Sequence, residues 1–335
     1  MVTVAIPVLN GGRWLGELLA AVRAQRLGDE LELLVCDSGS TDGSRELARG
    51  AGARMIDVGP EGFHHARTRN RLMSQAGGEF VAMLTQDATP IASDWLSGLL
   101  SGFDCAERVG LVYGPYVPRE ECPPLEAVRL RRFFDSLSPD GGPRIDRLTA
   151  EELQHPIPAG EIGPQRGYFT DANGCVRRAA WEQIPYPPVP YAEDHALAVA
   201  MLGAGWAKTY VPAARVLHSH HYTPAQQMRR AFDDNRGLAE VYGYRSPATP
   251  GHLTGQLRGA AAAGMRGGRR EGLSWTAAGG RGLGFAAEQA LALAGATLGS
   301  RSQRLPARLR GWLSLERRKS FEAVGVAAGR AEVQR

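Results

Sequence analysis

Short apolar runs open the chain and alternate with stretches of helical spacing. Residues 2–9 read as a strand ended by Asn10-Gly11-Gly12, and residues 14–25 carry Leu15, Leu18, Leu19 and Val22 on one helical face. A second strand is predicted over 31–36. Ser40-Thr41-Asp42-Gly43 then offers cap residues for a helix reaching about residue 50. Residues 54–58 form a short strand, 65–76 a helix stopped by Gly77-Gly78, and the next apolar strand ends at Asp87. Repeated strand–helix units of this length predict an α/β fold with a mainly parallel sheet covered on both faces.

Beyond the first hundred residues the pattern is less regular. Residues 115–166 are rich in proline and charge, with helical spacing around 125–135, and read as a partly mobile insertion over the edge of a site. Order resumes over 168–176, with helices at 179–183 and 194–203 and strands near 207–211 and 215–218. From Thr223 the pattern turns helical, and after Ser246 it becomes Gly-, Ala- and Arg-rich with poor periodicity. The predicted division is therefore an α/β domain over 1–223 and a basic, largely helical extension over 224–335.

Polar groups gather where strands end. The sets are Pro7-Val8-Leu9-Asn10, Cys36-Asp37-Ser38-Gly39-Ser40-Thr41-Asp42, Thr85-Gln86-Asp87 and Tyr191-Ala192-Glu193-Asp194, followed by the imidazole-rich His218-Ser219-His220-His221. Open α/β sheets bind ligands in the crevice at the carboxyl ends of their strands, so these sets can converge. Asp87 follows a buried strand, where a hard oxygen ligand can hold a divalent cation against a diphosphate; the alternative is a helix cap. Asp37 is either a hydrogen-bond acceptor for a ligand or part of an Asx turn. Asp194 begins a helix and can be a cap or a base.

Composition narrows the class. A hydrophobic content of 43% and a charged content of 22% describe an ordinary globular protein. The cysteines Cys36, Cys105, Cys122 and Cys175 make no CxxC or zinc spacing, and with no signal peptide legible a reducing cytoplasm is the expected compartment. No apolar run reaches membrane-spanning length, since Glu288 and Gln289 interrupt the nearest one. The net charge of +4 is split unevenly, with the surplus of arginine in residues 224–335. Such a tail suits peripheral contact with the cytoplasmic face of the inner membrane better than nucleic acid, for which no recognition motif is present. A dinucleotide-binding dehydrogenase is a poor fit, because no GxGxxG follows the first strand.

Taken in order, these motifs resemble the inverting nucleotide-sugar glycosyltransferases of family 2, which have a GT-A fold; the resemblance covers about residues 2–223. Phe63-His64-His65-Ala66-Arg67-Thr68-Arg69-Asn70, Leu84-Thr85-Gln86-Asp87-Ala88, Thr170-Asp171-Ala172-Asn173-Gly174 and Ala192-Glu193-Asp194-His195 resemble the rhamnosyltransferase branch. One departure is that Thr85-Gln86-Asp87 supplies a single carboxylate where the family often has Asp-x-Asp.

The resemblance implies roles for particular residues. Asp87 with His218, and His220 in reserve, would hold Mn²⁺ or Mg²⁺. Asp194 would be the general base, supported by Glu193. Asp37 would accept the imide N–H of thymine or uracil, with Pro7, Asn10, Ser38 and Gln86 around the donor. Arg69 and Asn70 would contact the nucleotide or its covering loop, and Asp171 and Asn173 the sugar or acceptor pocket. For His65, sugar contact and plain packing are both open, as are core and sugar platform for Trp181; a solvated helix face is the plainer reading of Arg67. The implied reaction moves a sugar, L-rhamnose from dTDP-L-rhamnose, to a hydroxyl of a glycan, lipid-linked or small-molecule acceptor. A transferase using another UDP- or GDP-sugar, or a catalytically silent sugar-nucleotide binder, is the alternative.

Overall fold

Strand and helix alternate from the first residues of the computed structural model, which describes residues 1–27, 30–59, 63–155 and 157–316. The first units are β1 (Val2–Val8), α1 (Gly12–Arg23), β2 (Leu31–Asp37), α2 (Ser44–Gly50), β3 (Arg54–Asp57), α3 (His65–Gln75) and β4 (Phe80–Leu84). β5 (Thr89–Pro90), α4 (Trp95–Ser101), β6 (Val109–Tyr113), β7 (Tyr116–Val117), α5 (Pro124–Leu137), β8 (Arg144–Asp146) and α6 (Ala159–Arg166) follow. The remainder is β9 (Asn173–Arg177), α7 (Arg178–Gln183), α8 (Glu193–Gly203), β10 (Ala207–Tyr210), β11 (Val216–Leu217), α9 (Pro224–Tyr242), α10 (Pro250–Arg270), α11 (Trp275–Gly299) and α12 (Ala307–Leu313).

The main sheet has eight strands in the order β3-β2-β1-β4-β9-β6-β10-β8. β1 to β4 pair in parallel, as does β10 with β6. β9 lies antiparallel between β4 and β6, and β8 is antiparallel on the edge. Side chains of a strand alternate between faces. Accordingly Val4, Ile6 and Val8 enter one core layer and Ala5 the other, while Leu33 and Val35 of β2 separate from Leu34 and Cys36. Helix α1 closes the first layer with Leu15, Leu18, Leu19 and Val22, each contributing roughly 1.5–3 kcal/mol by burial.

One expectation changes. Residues 115–166 are not a loose insertion, because α5 walls the site and β8 completes the sheet. Lys208 of β10 reaches Asp146 of β8 at 2.5 Å, and both are buried. Desolvation lowers the Lys208 pKa to about 8, against the pull of Asp146. The largely helical extension expected after residue 223 is present: α10 and α11 make a helical pair packed on α9. Its poor periodicity reflects how the helices meet. Gly295 and Gly299 of α11 lie against the Met228 and Phe232 carbonyls of α9, where a Cβ would come within 2.1 Å of either oxygen. The part of the predicted extension over 317–335 falls outside the described residues.

Candidate active site

A second, three-stranded sheet, β5-β11-β7, creates the first cluster. Asp87 lies in the turn after β4, and β5 directly follows it. β11 pairs antiparallel with β5, Leu217 opposite Thr89, so the residues leaving β11 are laid beside Asp87. His218 Nδ1 is 3.4 Å from Asp87 Oδ1, and His220 Nδ1 is 3.8 Å from Asp87 Oδ2. One ligand atom from each residue lies within 4.8 Å of the others. His218 Nδ1 is buried without a hydrogen bond, although its backbone N–H is held by the Val117 carbonyl at 3.0 Å. One carboxylate and two imidazoles fit a divalent cation such as Mn²⁺. Burial acts to raise the Asp87 pKa, but the His218 and His220 imidazoles outweigh it and keep the carboxyl well below the usual range. Burial and the neighbouring His218 depress His220 to about 3, so it is neutral and able to ligate.

Arg119, which no motif marked, braces this turn. Its guanidinium donates to the Asp87 carbonyl at 3.0 Å and to Thr89 Oγ1 at 2.8 Å, pairs with Glu17, and lies 3.8 Å over the Trp14 ring.

The second cluster is built on α3, α8 and the chain before β9. Arg69 Nε lies 2.5 Å from Asp171 Oδ2, and Arg69 Nη1 lies 2.7 Å from Glu193 Oε1. Tyr186 donates its hydroxyl to Asp171 Oδ1 at 2.6 Å. Asp194 follows, its Oδ1 accepting the His195 N–H at 2.8 Å. One guanidinium thus faces three carboxylates. Desolvation, then Glu193 and Asp171, raises the Asp194 pKa well above the ordinary value. Desolvation also raises Asp171, to about 6, against the opposing pull of Arg69. Glu193 is shifted downward, because Arg69 and His65 overcome its desolvation. The turn into α8 is set by Ala192, a non-glycine residue at φ 60° and ψ 40°. That left-handed conformation costs about 1 kcal/mol and aims two consecutive acids inward.

Both clusters face one cavity of about 770 Å³. Its wall includes Asp87, His218, His220, Glu193, Asp194, Arg69 and His65. Residues that sequence motifs did not mark complete it: Tyr116, Glu126, Leu130 and Phe133 from β7 and α5, Tyr168, Tyr222, and Gln227, Arg230, Asp234 and Leu238 from α9. Residues on both sides of position 223 therefore line the site.

Other predicted residues sit elsewhere. Asp37, at the end of β2, accepts the Gly39 and Ser40 N–H groups at 3.0 and 3.1 Å and an Arg45 N–H at 2.8 Å, all on Oδ1. Its Oδ2 and the Ser38 hydroxyl are buried without partners. Desolvation opposes ionisation of Asp37, but the hydrogen bonds from Ser40, Gly39 and Arg45 bring its pKa below the usual value. Asn10, at φ 51°, accepts the Thr41 N–H at 2.9 Å, and Gln86 bonds both Leu9 backbone groups, at 2.8 and 3.1 Å. These contacts tie the loops after β1, β2 and β4 together, with half-buried Pro7 on β1 beside them. Asp42 takes the turn role, accepting from the Ser44 N–H and hydroxyl at 3.1 and 2.6 Å.

Asn70 and Asn173 do not face the cavity. Asn70 Nδ2 donates to the Tyr186 carbonyl, and its Oδ1 accepts from Trp181 Nε1 and the Tyr186 N–H, pinning the proline-rich segment before α8. Trp181 packs against the core. Asn173 is fully buried, accepting from Trp95 Nε1 at 2.8 Å and donating to the Pro115 and Ala214 carbonyls. Arg69 is engaged by Asp171 and Glu193, and Arg67 is exposed.

Comparison with known proteins agrees with this fold. The family described as glycosyl transferase family 2 matches residues 3–176. The O-antigen chain rhamnosyltransferase WbaN of Salmonella anatum is 30% identical over 236 residues, 69% of this chain and 70% of that protein. The O-antigen chain rhamnosyltransferase RfbN of Salmonella typhimurium is 29% identical over 237 residues, with the same coverage. Mannosyltransferase PcManGT from Pyrobaculum calidifontis, solved with GDP-Man and Mn²⁺, shares the fold at a TM-score of 0.57 and 20% identity, covering 90% of this chain and 88% of that one. With its mixed α/β core of GT-A type, its C-terminal helices and its rhamnosyltransferase relatives, the chain belongs to glycosyl transferase family 2 and is a glycosyltransferase.

Proposed function

We propose that the protein transfers L-rhamnose from dTDP-L-rhamnose to a hydroxyl of a glycan acceptor, with inversion and in a single displacement. The observation that carries this reading is that the Asp87–His218–His220 set and Asp194 line the same cavity. Asp87, His218 and His220 would hold Mn²⁺ or Mg²⁺. The cation, when bound, offsets charge on the diphosphate leaving group. Asp194 takes the proton from the acceptor hydroxyl as that oxygen attacks the anomeric carbon. Its raised pKa makes it a stronger base than a solvated aspartate, and Glu193 and Asp171, held by Arg69, keep it so.

Asp37 and Ser38 fit the base of the nucleotide. Two buried oxygens without partners, one of them on a carboxylate that can only accept, suit the imide edge of thymine or uracil. β1 separates β2 from β4, so the ends of those strands are about 10 Å apart, a distance a nucleoside diphosphate can span. The rhamnosyl donor and glycan acceptor are supported by the rhamnosyltransferase relatives, and a nucleotide sugar with a divalent cation by the PcManGT complex.

The test is donor turnover. Purified protein with Mn²⁺ is offered dTDP-rhamnose, UDP-glucose and GDP-mannose, and nucleoside diphosphate release is measured. Release from dTDP-rhamnose above the other two supports the assignment. Preference for UDP-glucose or GDP-mannose reassigns the donor, binding without release leaves a silent binder, and neither binding nor release with any of them overturns the reading.

A further inference from the structure

The outward face of α11 has a composition that water does not favour. Between Gly282 and Ser300 the sequence holds one charged residue, Glu288. The opposite face of the helix is used internally, with Gly282, Phe285, Ala292, Gly295 and Gly299 buried. The outer face carries Leu283, Ala287, Leu291, Ala294 and Leu298, all exposed. Their spacing of three and four residues makes one stripe along a helix. Leu283 is 73% exposed, and Trp275, at the start of the same helix, 69%.

Arginines stand at both ends of this stripe. Arg266, Arg269 and Arg270 are exposed at the end of α10, with the Arg269 guanidinium 4.5 Å from the Trp275 ring. Arg304 and Arg308 are exposed beyond the other end, near Trp312, which is 60% exposed. Residues 250–313 contain nine arginines and two acids. Residues 1–223 have the opposite balance, with acids in excess. An anionic surface would therefore attract the helical pair and repel the rest of the molecule. No helix among the described residues is long and apolar enough to cross a membrane. Apolar stripe, aromatic ends and flanking arginines describe a helix that lies in a lipid interface.

We propose that the outer face of α11, flanked by the arginines of α10 and α12, docks the enzyme onto an anionic lipid bilayer. The same surface is mechanically joined to the site. Leu125 of α5 packs with Ala260 of α10 and Phe285 of α11, while Leu130 and Phe133 of α5 line the cavity. Docking through α11 thus brings the cavity wall near the lipid surface, where a glycan carried on a lipid would present its hydroxyl. The lipid-borne acceptor rests on the transfer reading above; the docking does not.

The experiment is co-sedimentation of the full chain with vesicles of phosphatidylcholine and of a phosphatidylcholine–phosphatidylglycerol mixture, without donor, beside measurement of its mass in solution. Partition at least about tenfold stronger onto the anionic vesicles is expected, falling with added salt. Leu283→Glu with Leu291→Glu should lose about tenfold in partition. Arg266→Ser with Arg269→Ser and Arg270→Ser should abolish the preference for anionic lipid. Both variants should keep the wild-type Tm and donor turnover. Partition unchanged by the leucine substitutions overturns the proposal. So does a wild-type chain that ignores both vesicles and forms a dimer that Leu283→Glu dissociates, because the face would then belong to a second copy. Vesicle binding without any donor turnover would retain the docking and remove the transfer reading.

Discussion

Gly237 of α9 lies directly against Ala192, such that a Cβ at position 237 would come within 2.9 Å of the Ala192 Cβ and 2.8 Å of the Tyr191 ring. The left-handed turn that aims Glu193 and Asp194 is thus held by a helix from beyond the α/β core. Replacing Gly237 by Ala must displace Tyr191 and Ala192. We expect Gly237→Ala to lower stability by about 1–3 kcal/mol, from overpacking, and to reduce kcat with little change in donor affinity. Urea denaturation and donor titration measure the two effects; unchanged kcat would mean that α9 does not position Asp194.

Removing the proposed base should separate catalysis from binding. Asp194→Asn is expected to reduce transfer by at least about 10²-fold while donor affinity stays within error of wild type. Wild-type transfer by this variant would exclude Asp194 as the base.

The same substitution carries a signature in pH. The folded-state pKa of Asp194 is raised, so the native state retains a proton that the unfolded chain has released. Stability on this account is greatest below the ordinary carboxylate pKa and is lost as pH rises toward the folded value. Asp194→Asn should therefore be more stable than wild type at pH 8, and the gap should close toward pH 4. Chemical denaturation across that range tests it; a constant difference would contradict the shift. Transfer should likewise climb with pH above the range where a solvated aspartate is already ionised.

Cation dependence provides an independent measurement. Asp87→Ala and His218→Ala should each weaken Mn²⁺-dependent dTDP binding by at least about tenfold, roughly 1.4 kcal/mol. Calorimetry with Mn²⁺ and after chelation shows the difference. Retention of the Mn²⁺ effect in both variants would remove the assigned ligand set.

Arg69 is buried between two carboxylates, so its loss is a matter of stability before chemistry. Arg69→Met leaves Asp171 and Glu193 buried without their cation, at a cost of about 3–5 kcal/mol. Arg69→Lys, which keeps the charge but not the two-way geometry, should fall between. A Met variant as stable as wild type would show that the acids are relieved by protonation.

The α/β core and the ends of its strands were legible in the sequence because burial on two faces imposes apolar runs there. Asp87, His218 and His220 were marked for that reason, each standing just past such an element, whereas Glu193 and Asp194 follow no strand and open α8. Arg69 and Asn70 were legible as polar positions but not as scaffolding, since a guanidinium or amide looks the same whether it faces a ligand or a buried carboxylate. The wall from α5 and α9 left no periodic signal that distinguished pocket from core. β5 and β7 are two residues each, too short for alternation to register. The packing of the α10–α11 pair was hidden because, apart from Phe285, small residues such as Ala260, Gly264, Gly268 and Gly282 make its contacts.

The β5–β11 ladder joins the chain near residue 90 to the chain near residue 216. On the reading proposed above, a polypeptide still emerging from the ribosome can complete the sheet through β10 and yet possess no imidazole for its cation. Half-made enzyme would then be unable to consume activated sugar, since both the histidine ligands and the α9 wall of the cavity are still to come.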